Sequence, residues 1–163
     1  MAIQIKIILY IILSLALVPS VSRAQHHSGG EKKPFVLGQT EEIKSAKLGE
    51  TRVLNIYLPQ GYSPDSAATY PVIYLLDGSA NEDFVHITGI VQFLSMIVDT
   101  MPRAIVVGIA NTDRKRDMTF PTTIAKDKAD YPTTGGSAKF IAFIEKELQP
   151  YIHKHYKLSL IHI

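Results

Sequence analysis

The fold class can be inferred from one short segment, YPVIYLLDG at residues 70–78, which runs from Tyr70 to Gly78. Its apolar residues follow one another without alternation, which is typical of a strand covered on both faces. Asp77-Gly78 ends the strand with a turn. A second continuous apolar run, AIVVGI at 104–109, predicts another such strand. Between the two runs, 84–98 carries apolar residues at helical spacing: Ile87, Ile90, Val91, Leu94, Ile97 and Val98.

The segments outside this strand-helix-strand unit extend the same architecture. Residues 35–59 hold two extended runs around Gly49, which predict an antiparallel hairpin or meander. Residues 111–134 are polar and irregular. A helix is expected over 140–156, with Ser137 as its N-cap and a buried stripe formed by Phe140, Ile141, Ile144, Leu148 and Ile152. Pro150 is expected either to kink or to end the regular helix. The pattern predicts the α/β class: a mostly parallel sheet, wrapped on both faces, with an antiparallel leading edge.

The first 24 residues are interpreted as a signal peptide. Lys6 precedes an apolar run from Ile7 to Val18, and small residues lead to Ala24, after which we place cleavage. The alternative is a membrane anchor, but a dozen apolar residues fall short of the roughly 20 that a spanning helix needs. We expect an exported protein with no membrane attachment in its mature form. Residues 25–34 then form a flexible lead-in, in which His26 and His27 are either solvated or a metal-binding pair.

Charge and composition exclude several functional classes. The chain has 17 Lys and Arg, 15 Asp and Glu, and no Cys. Removal of the first 24 residues takes away two bases and no acid, and 17 minus 2 leaves 15 bases against 15 acids. A neutral mature chain does not favour nucleic acid as a partner. Without Cys there is no disulfide framework, zinc-thiolate site or cysteine nucleophile, and we expect no metal or organic cofactor.

Four segments, in order, resemble one family. They are RVLNIYLPQGY (52–62), YPVIYLLDG (70–78), AIVVGIANTDRKRDMTFP (104–121) and GGSAKFIAFIEKELQPYI (135–152). Together they resemble the α/β-hydrolase esterases related to enterochelin esterase, S-formylglutathione hydrolase and the mycolyltransferases. The resemblance covers about residues 51–156. It implies that 35–163 is the N-terminal part of an α/β-hydrolase domain.

The resemblance also implies an oxyanion hole after the first buried strand. In this family, a backbone N–H in the loop after Leu-Asp-Gly stabilises the tetrahedral oxyanion of acyl transfer. The matching donor here is Ser79, directly after Gly78. The alternative is that residues 76–78 form only a strand-ending turn. Ser79 is not expected to be the nucleophile, because it lacks the flanking glycines of the G-x-S-x-G elbow.

Other polar residues carry weaker hypotheses. Arg114 and Arg116 lie in a loop similar to the family's loop after its fourth strand, where they either face an anionic substrate or brace the loop through Asp117. His86 either edges the cleft or is a partly exposed helix residue. Glu82, Asp83 and Asp99 have no partner that the sequence identifies.

The catalytic triad of the family is not found in the sequence. G-x-S-x-G does not occur. In the family, the catalytic histidine comes after the nucleophile in the chain, whereas His153, His155 and His162 come before the position expected for it, so none of them matches the catalytic histidine. Residues 158–163 (LSLIHI) depart from the family's strand, and they are also what one reading frame of a transposon end used in sequencing libraries encodes. We expect a gene model truncated before the nucleophile elbow, with 158–163 as a foreign tail; a natural short protein is the alternative.

The sequence therefore predicts part of an exported serine esterase that acts on a small-molecule carboxylic ester by an acyl-serine route. The chain by itself is expected to be inactive. The alternative is a natural, non-catalytic binding module derived from the hydrolase sheet. Neither reading predicts an oligomeric state.

Overall fold

The computed structural model describes residues 30–159. The predicted signal peptide, His26, His27, most of the lead-in and residues 160–163 of the predicted tail lie outside this range. Residues 30–34 belong to a separate unit and form no helix or strand. The second unit contains strands β1 (Gln39–Ser45), β2 (Glu50–Tyr57), β3 (Val72–Leu75) and β4 (Ile105–Ile109), and helices α1 (Phe84–Met96), α2 (Arg114–Asp117), α3 (Ala125–Asp130), α4 (Ser137–Phe143) and α5 (Gln149–His155), with a π-helical turn (Ile144–Leu148) joining α4 to α5.

The four strands form one mixed sheet in the order β1-β2-β4-β3. β1 and β2 make the predicted antiparallel hairpin, and β2 pairs antiparallel with β4. β4 and β3 pair in parallel, with Ile73 opposite Val106 and Leu75 opposite Gly108. Parallel neighbours place their carboxyl ends at the same edge of a sheet, so the loops after β3 and β4 meet there.

Both faces of the sheet are covered, as the unalternated apolar runs predict. One core lies between the sheet and helices α4 and α5, and includes Leu54, Ile56, Ile105, Val107, Ile109, Phe143, Leu148 and Ile152. A second lies under α1 and is formed by Tyr57, Phe84, Val91, Ala104 and Val106. Every residue of β4 is buried. The α/β prediction is confirmed.

β3 is less covered than its sequence predicts. Each of its residues is partly exposed, and Leu76 lies outside the strand with 45% of its surface accessible. The outer edge of β3 carries one parallel bridge, between Tyr70 and Leu158, as the sole pairing that residues 30–159 provide. The prediction of a strand starting at Leu158 is thus seen only as this bridge.

The predicted apolar stripe of α1 is partly wrong. Val91 is buried, but Ile90 and Phe93 on α1 are exposed, and so are Ile97 and Val98 in the turn after it, of which Ile97 is 73% accessible. The buried positions between these residues are taken by the smaller Thr88 and Ser95. Ile141, placed in the buried stripe of the last helix, is likewise exposed. Spacing identified the helices, but neighbouring segments decide which side is covered.

The last helix runs from Ser137 to His155 without a break, and Pro150 does not end it. A proline in a helix lacks an N–H and clashes with the carbonyl one turn earlier. The π-helical turn at 144–148 widens the helix directly before Pro150, and Gln149 N–H donates to Ile144 O. The N-cap is Gly136, and Ser137 is the first helical residue, so the N-cap prediction is wrong. The buried hydroxyl of Ser137 has no hydrogen-bond partner within residues 30–159.

The segment 111–134 is less irregular than expected, since it contains α2 and α3. Asp113 caps α2 by accepting a 3.0 Å hydrogen bond from Arg116 N–H. None of the helices found between residues 30 and 159 combines the length and the apolar character needed to span a bilayer.

Candidate active site

The loop after β3 crosses over β4 in backbone contact. Gly78 N–H donates to Ile109 O at 3.0 Å. A Cβ at Gly108 would lie 2.5 Å from Gly78 O and 2.6 Å from the Phe84 ring, closer than real Cβ contacts allow. Asp77, just before the crossing, has φ +52°, a left-handed conformation in which Asp and Asn are the best tolerated residues after Gly. The predicted turn is therefore a tight crossing, and both crossing segments need a glycine there, Gly78 in the loop after β3 and Gly108 in β4.

Asn55 on β2 supports the crossing through a hydrogen bond to Gly78. Its side-chain Nδ2 donates to Gly78 O at 2.8 Å, and its Oδ1 accepts from Thr40 Oγ1 at 3.1 Å. Asn55 is 5% exposed. A buried amide with both ends bonded is a fixed support, since losing either partner leaves a desolvated polar group. Asn55 thus sets the orientation of the peptide between Gly78 and Ser79.

Ser79 is half-buried and follows the crossing. Its backbone N–H points to the Glu82 carboxylate, with a distance of 3.2 Å to Oε2. Glu82 N–H donates back to Ser79 O at 3.0 Å, and Asp83 N–H donates to Asp77 O at 3.1 Å. The residue predicted as oxyanion donor therefore has an N–H held in a tight turn, bonded to a negatively charged oxygen.

Asp77 and Glu82 are tied together by the loop after β4. Asn111 Nδ2 donates to Asp77 Oδ1 at 2.7 Å and to Glu82 Oε1 at 2.9 Å. Arg114 makes a two-point contact with Asp77, through Nε at 2.7 Å and Nη2 at 3.0 Å. The hydrogen bond from Arg114 lowers the pKa of Asp77, and the hydrogen bond from Asn111 lowers the pKa of Glu82. Both carboxylates are thus charged at neutral pH.

The predicted substrate contacts Arg114 and Arg116 lie in different surroundings. Arg114 is exposed on the rim of the loop, whereas Arg116 makes two hydrogen bonds to Glu50, at 2.7 and 3.0 Å, and two to Asp117, at 2.7 and 3.3 Å. These bonds hold the pKa of Arg116 above its usual range, with Asp117 as the largest cause. Arg116 therefore makes the contacts expected if it braces its loop through Asp117, which was the alternative to a substrate contact. A substrate role for either arginine remains a prediction.

Buried Arg52 and Asp117 complete this ion-pair network. Each is 1% exposed, and Arg52 Nη2 pairs with Asp117 Oδ2. Arg52 Nε lies 2.8 Å from Glu50 Oε1 without the alignment of a hydrogen bond, so that contact is ionic only. The guanidinium also lies over the Phe140 ring, 5.4 Å from its centre. Removing either Arg52 or Asp117 would leave a buried charge without its partner, which is strongly destabilising. The ion pair therefore holds α2, which carries Asp117, against β2, which carries Arg52.

The remaining candidates lie apart from the crossing. His86 is exposed on α1 and His153 and His155 are exposed on α5, while Asp83 makes no side-chain capping bond. Asp99 has φ +55° in the turn after α1. Across residues 30–159, no three His, Cys, Asp or Glu side chains come close enough to hold a metal ion.

A cleft of about 350 Å³ lies beside the loop. Its walls come from the segment before β1, from β2 and from the start of α1, and they include Phe35, Leu37, Asn55, Ala80, Phe84 and Val85. Asn55 and Ala80 connect the cleft to the crossing. Mostly apolar walls with a few polar groups are typical of small-molecule sites.

Two residues of this site were not predicted from the sequence. Asn55 left a signal, because it is the one polar residue in the apolar run from Val53 to Leu58. Asn111 left none, since it is one of several polar residues after β4. Its role depends on a bond to Glu82, 29 positions earlier in the chain.

A comparison with protein families matches residues 45–160 to the family described as Putative esterase. The chain belongs to this family. A curated relative, the ferri-bacillibactin esterase BesA of Bacillus subtilis (strain 168), is 32% identical over 147 residues, which cover 81% of this chain and 50% of BesA. An IroE-like serine hydrolase from Shewanella oneidensis is 40% identical with a TM-score of 0.66, covering 74% of this chain and 39% of that protein. The BES protein from Bacillus cereus is 31% identical with a TM-score of 0.62, covering 80% and 52%.

The fold and family predictions are confirmed by these relatives. The structural matches place the sheet and its helices in the α/β-hydrolase class of esterases. BesA is named as an ester hydrolase, and the Shewanella protein as a serine hydrolase. The chain spans about half the length of the relatives that it matches.

Proposed function

We propose that this chain supplies the oxyanion-loop part of an exported serine esterase that hydrolyses carboxylic esters through an acyl-serine intermediate. The observation that carries the proposal is the crossing of Gly78 over Gly108, which presents the Ser79 N–H at the carboxyl end of β3. Membership of the esterase family supports it. The sequence contains no G-x-S-x-G, so the chain by itself is proposed to be inactive.

The role of Ser79 follows from where charge develops during acyl transfer. Attack on an ester carbonyl turns its oxygen into an oxyanion, and a fixed N–H donor stabilises that charge more than it stabilises the neutral carbonyl. The Ser79 N–H is fixed by the Gly78 backbone bond to Ile109 and by Asn55. No movable side chain is needed, so this donor requires little reorganisation when the reaction occurs.

The proposed substrate is a siderophore-type ester. BesA, named for ferri-bacillibactin, supports this class as the curated relative that matches 81% of the chain. The cleft beside the loop offers apolar walls for part of such a molecule. Arg114, at the rim, is available as a contact for a negatively charged group, although it already pairs with Asp77.

A pair of substitutions tests the oxyanion role once the reading frame is known. Genomic DNA beyond codon 157 that continues in frame to a G-x-S-x-G segment supports the esterase, and a stop codon after Ile163 supports the binding module. In the longer protein, Ser79→Pro removes the N–H and is expected to lower kcat by about 10²- to 10³-fold on a p-nitrophenyl ester. Ser79→Ala keeps the N–H and is expected to retain activity. Equal kcat values for the two variants, with unchanged melting curves, would contradict the proposal.

The chain as it stands allows a second test. It is expected to hydrolyse p-nitrophenyl acetate no faster than its own Ser79→Ala variant. Turnover that disappears with Ser79→Ala would make Ser79 a nucleophile and would overturn the assignment.

Export is tested by the N-terminus of the protein. A secreting host is expected to release a mature chain that begins at Gln25, because small residues precede a cleavage site after Ala24. Sequencing that finds Met1 retained would contradict both the signal peptide and the exported location.

A further inference from the structure

The Ser79 amide already holds a negatively charged oxygen. Glu82 Oε2 lies 3.2 Å from Ser79 N, which is within hydrogen-bond distance of the donor that an oxyanion would use. A carboxylate oxygen resembles an oxyanion both in charge and as an acceptor. Glu82 lies only three residues further along the chain, so no distant segment has to move to make this contact.

Two further contacts hold Glu82 at that position, one to its carboxylate and one to its backbone. Asn111 Nδ2 bonds its other oxygen at 2.9 Å, and the backbone of Glu82 bonds Ser79 O at 3.0 Å. Asn111 is itself fixed by Asp77, which Arg114 anchors. Asp77 is the neighbouring negative charge, and Arg114 is the neighbouring positive charge. The carboxylate is therefore placed by a side-chain network that spans the loops after β3 and β4.

We propose that Glu82 occupies the oxyanion donor in the substrate-free state, so that a substrate oxygen must displace this carboxylate to reach the Ser79 N–H. This inference rests on the proposed function of Ser79. It adds Glu82 as a residue of the site and Asn111 as its positioning residue. The contact satisfies a polar N–H that the empty site would otherwise leave to water. It also means that an oxygen with little negative charge competes poorly for the donor, whereas a developing oxyanion competes well.

Hydrogen exchange of single amides, measured in the longer in-frame protein, tests the contact. In Glu82→Ala, the Ser79 amide is expected to exchange about tenfold faster than in the unmodified chain, the size expected for loss of one hydrogen bond to a charged group. Asp83→Asn changes the charge by the same amount one residue further on and is the matched control. It is expected to leave the Ser79 rate unchanged, because Asp83 makes no side-chain capping bond.

Two neighbouring amides separate loss of this contact from loosening of the whole loop. Gly78 N–H donates to Ile109 O and Asp83 N–H donates to Asp77 O, and neither bond involves the Glu82 side chain. Their exchange rates are expected to stay constant in Glu82→Ala. An unchanged Ser79 rate, or equal acceleration of all three amides, would overturn the inference.

The exchange result is independent of catalysis. If Ser79→Pro kept full activity in the longer protein, the oxyanion role would fall while the Ser79–Glu82 contact still stood. If the Ser79 amide exchanged freely in the unmodified chain while Ser79→Pro lost activity, the donor would stand and the occupancy by Glu82 would fall.

Discussion

At the scale of single residues, the site depends on two glycines from different strands. Gly78 and Gly108 allow the loop after β3 to lie against β4, and any side chain at either position would overlap backbone atoms. The close approach brings Gly78 O within reach of Asn55 and places Ser79 at the end of the sheet. The absence of a Cβ is therefore the property that these two positions contribute.

Gly108→Ala is expected to destabilise the fold. The new methyl would lie 2.5 Å from Gly78 O and 2.6 Å from the Phe84 ring, and such overpacking typically costs about 1–3 kcal/mol. Gly89→Ala is the matched control, because Gly89 lies within α1 with no atom within 4 Å of the added methyl. It is expected to stabilise by about 0.5–1 kcal/mol, since Ala favours a helix over Gly. Urea denaturation measures both, and equal midpoints would contradict the crossing.

Asp77 is expected to give stability that disappears in acid. The hydrogen bond from Arg114 is the main cause that holds the pKa of Asp77 below its usual value in the folded protein. A group with a depressed folded pKa stabilises fully above its unfolded pKa, and this contribution is lost as the pH falls through the folded pKa. Asp77→Asn tolerates the positive φ but does not titrate. Between pH 5 and 2, roughly the range around the usual Asp pKa, urea midpoints should fall more steeply for the unmodified chain. Parallel pH profiles would exclude Asp77 as the cause.

At the scale of elements, the hairpin β1-β2 is joined to the helix that follows much later in the chain. Gly49, with φ +71°, closes the turn. Glu147, on the π-helical turn, accepts from Ser45 Oγ at 2.5 Å and from the N–H groups of Ala46 and Lys47 at 3.0 and 3.1 Å. One carboxylate thus satisfies three donors of the hairpin turn and fixes where the helix packs.

Glu147→Ala is expected to lower the free energy of unfolding by about 1–3 kcal/mol, because it leaves the buried Ser45 hydroxyl without its charged acceptor, whereas the exposed N–H groups of Ala46 and Lys47 can bond water. Glu145→Ala is the control two residues earlier. Glu145 pairs only with the exposed neighbour Lys146, and exposed pairs of this kind contribute about 0–1 kcal/mol. Thermal melts of the two variants should therefore differ clearly. A smaller loss for Glu147→Ala than for Glu145→Ala would show that the turn does not depend on this helix.

At the scale of the whole molecule, two apolar surfaces lack cover within the described residues. One is the outer edge of β3, where Tyr70 and Leu158 make a single bridge. The other, called the α1 face, is formed by Phe93 on α1 and by Ile97 and Val98 in the turn after it. A strand edge with free backbone groups is a template for pairing with another chain. Apolar surface that stays exposed to water does not contribute the roughly 25 cal/mol per Å² of stabilisation that burial provides. The net stability of a folded domain is usually only about 5–15 kcal/mol.

Residues 25–163 expressed alone are therefore expected to be aggregated or partly folded, so the urea and thermal measurements on Gly108, Asp77 and Glu147 variants belong to the longer in-frame protein. Size-exclusion chromatography with a thermal melt measures this, and a compact monomer with a sharp cooperative transition would favour the binding module. Phe93→Lys separates the two surfaces: if the β3 edge drives association, this variant associates as before, and if the α1 face drives it, the monomer fraction rises.

The α/β class, the hairpin, the positions of β3 and of the buried strand β4, and the loop that carries Ser79 could all be predicted from the residues alone. These features depend on local periodicity and on turn residues, which are written in consecutive positions. The N-cap at Ser137 and the burial of Ile97 and Ile141 were predicted wrongly, since the packing of distant segments decides them. Only the tertiary structure brought Asn55, Glu82 and Asn111 around the Ser79 amide. Their hydrogen bonds join β2 and the loops after β3 and β4, and the spacing of residues along a chain does not encode which side chains meet where parallel strands end.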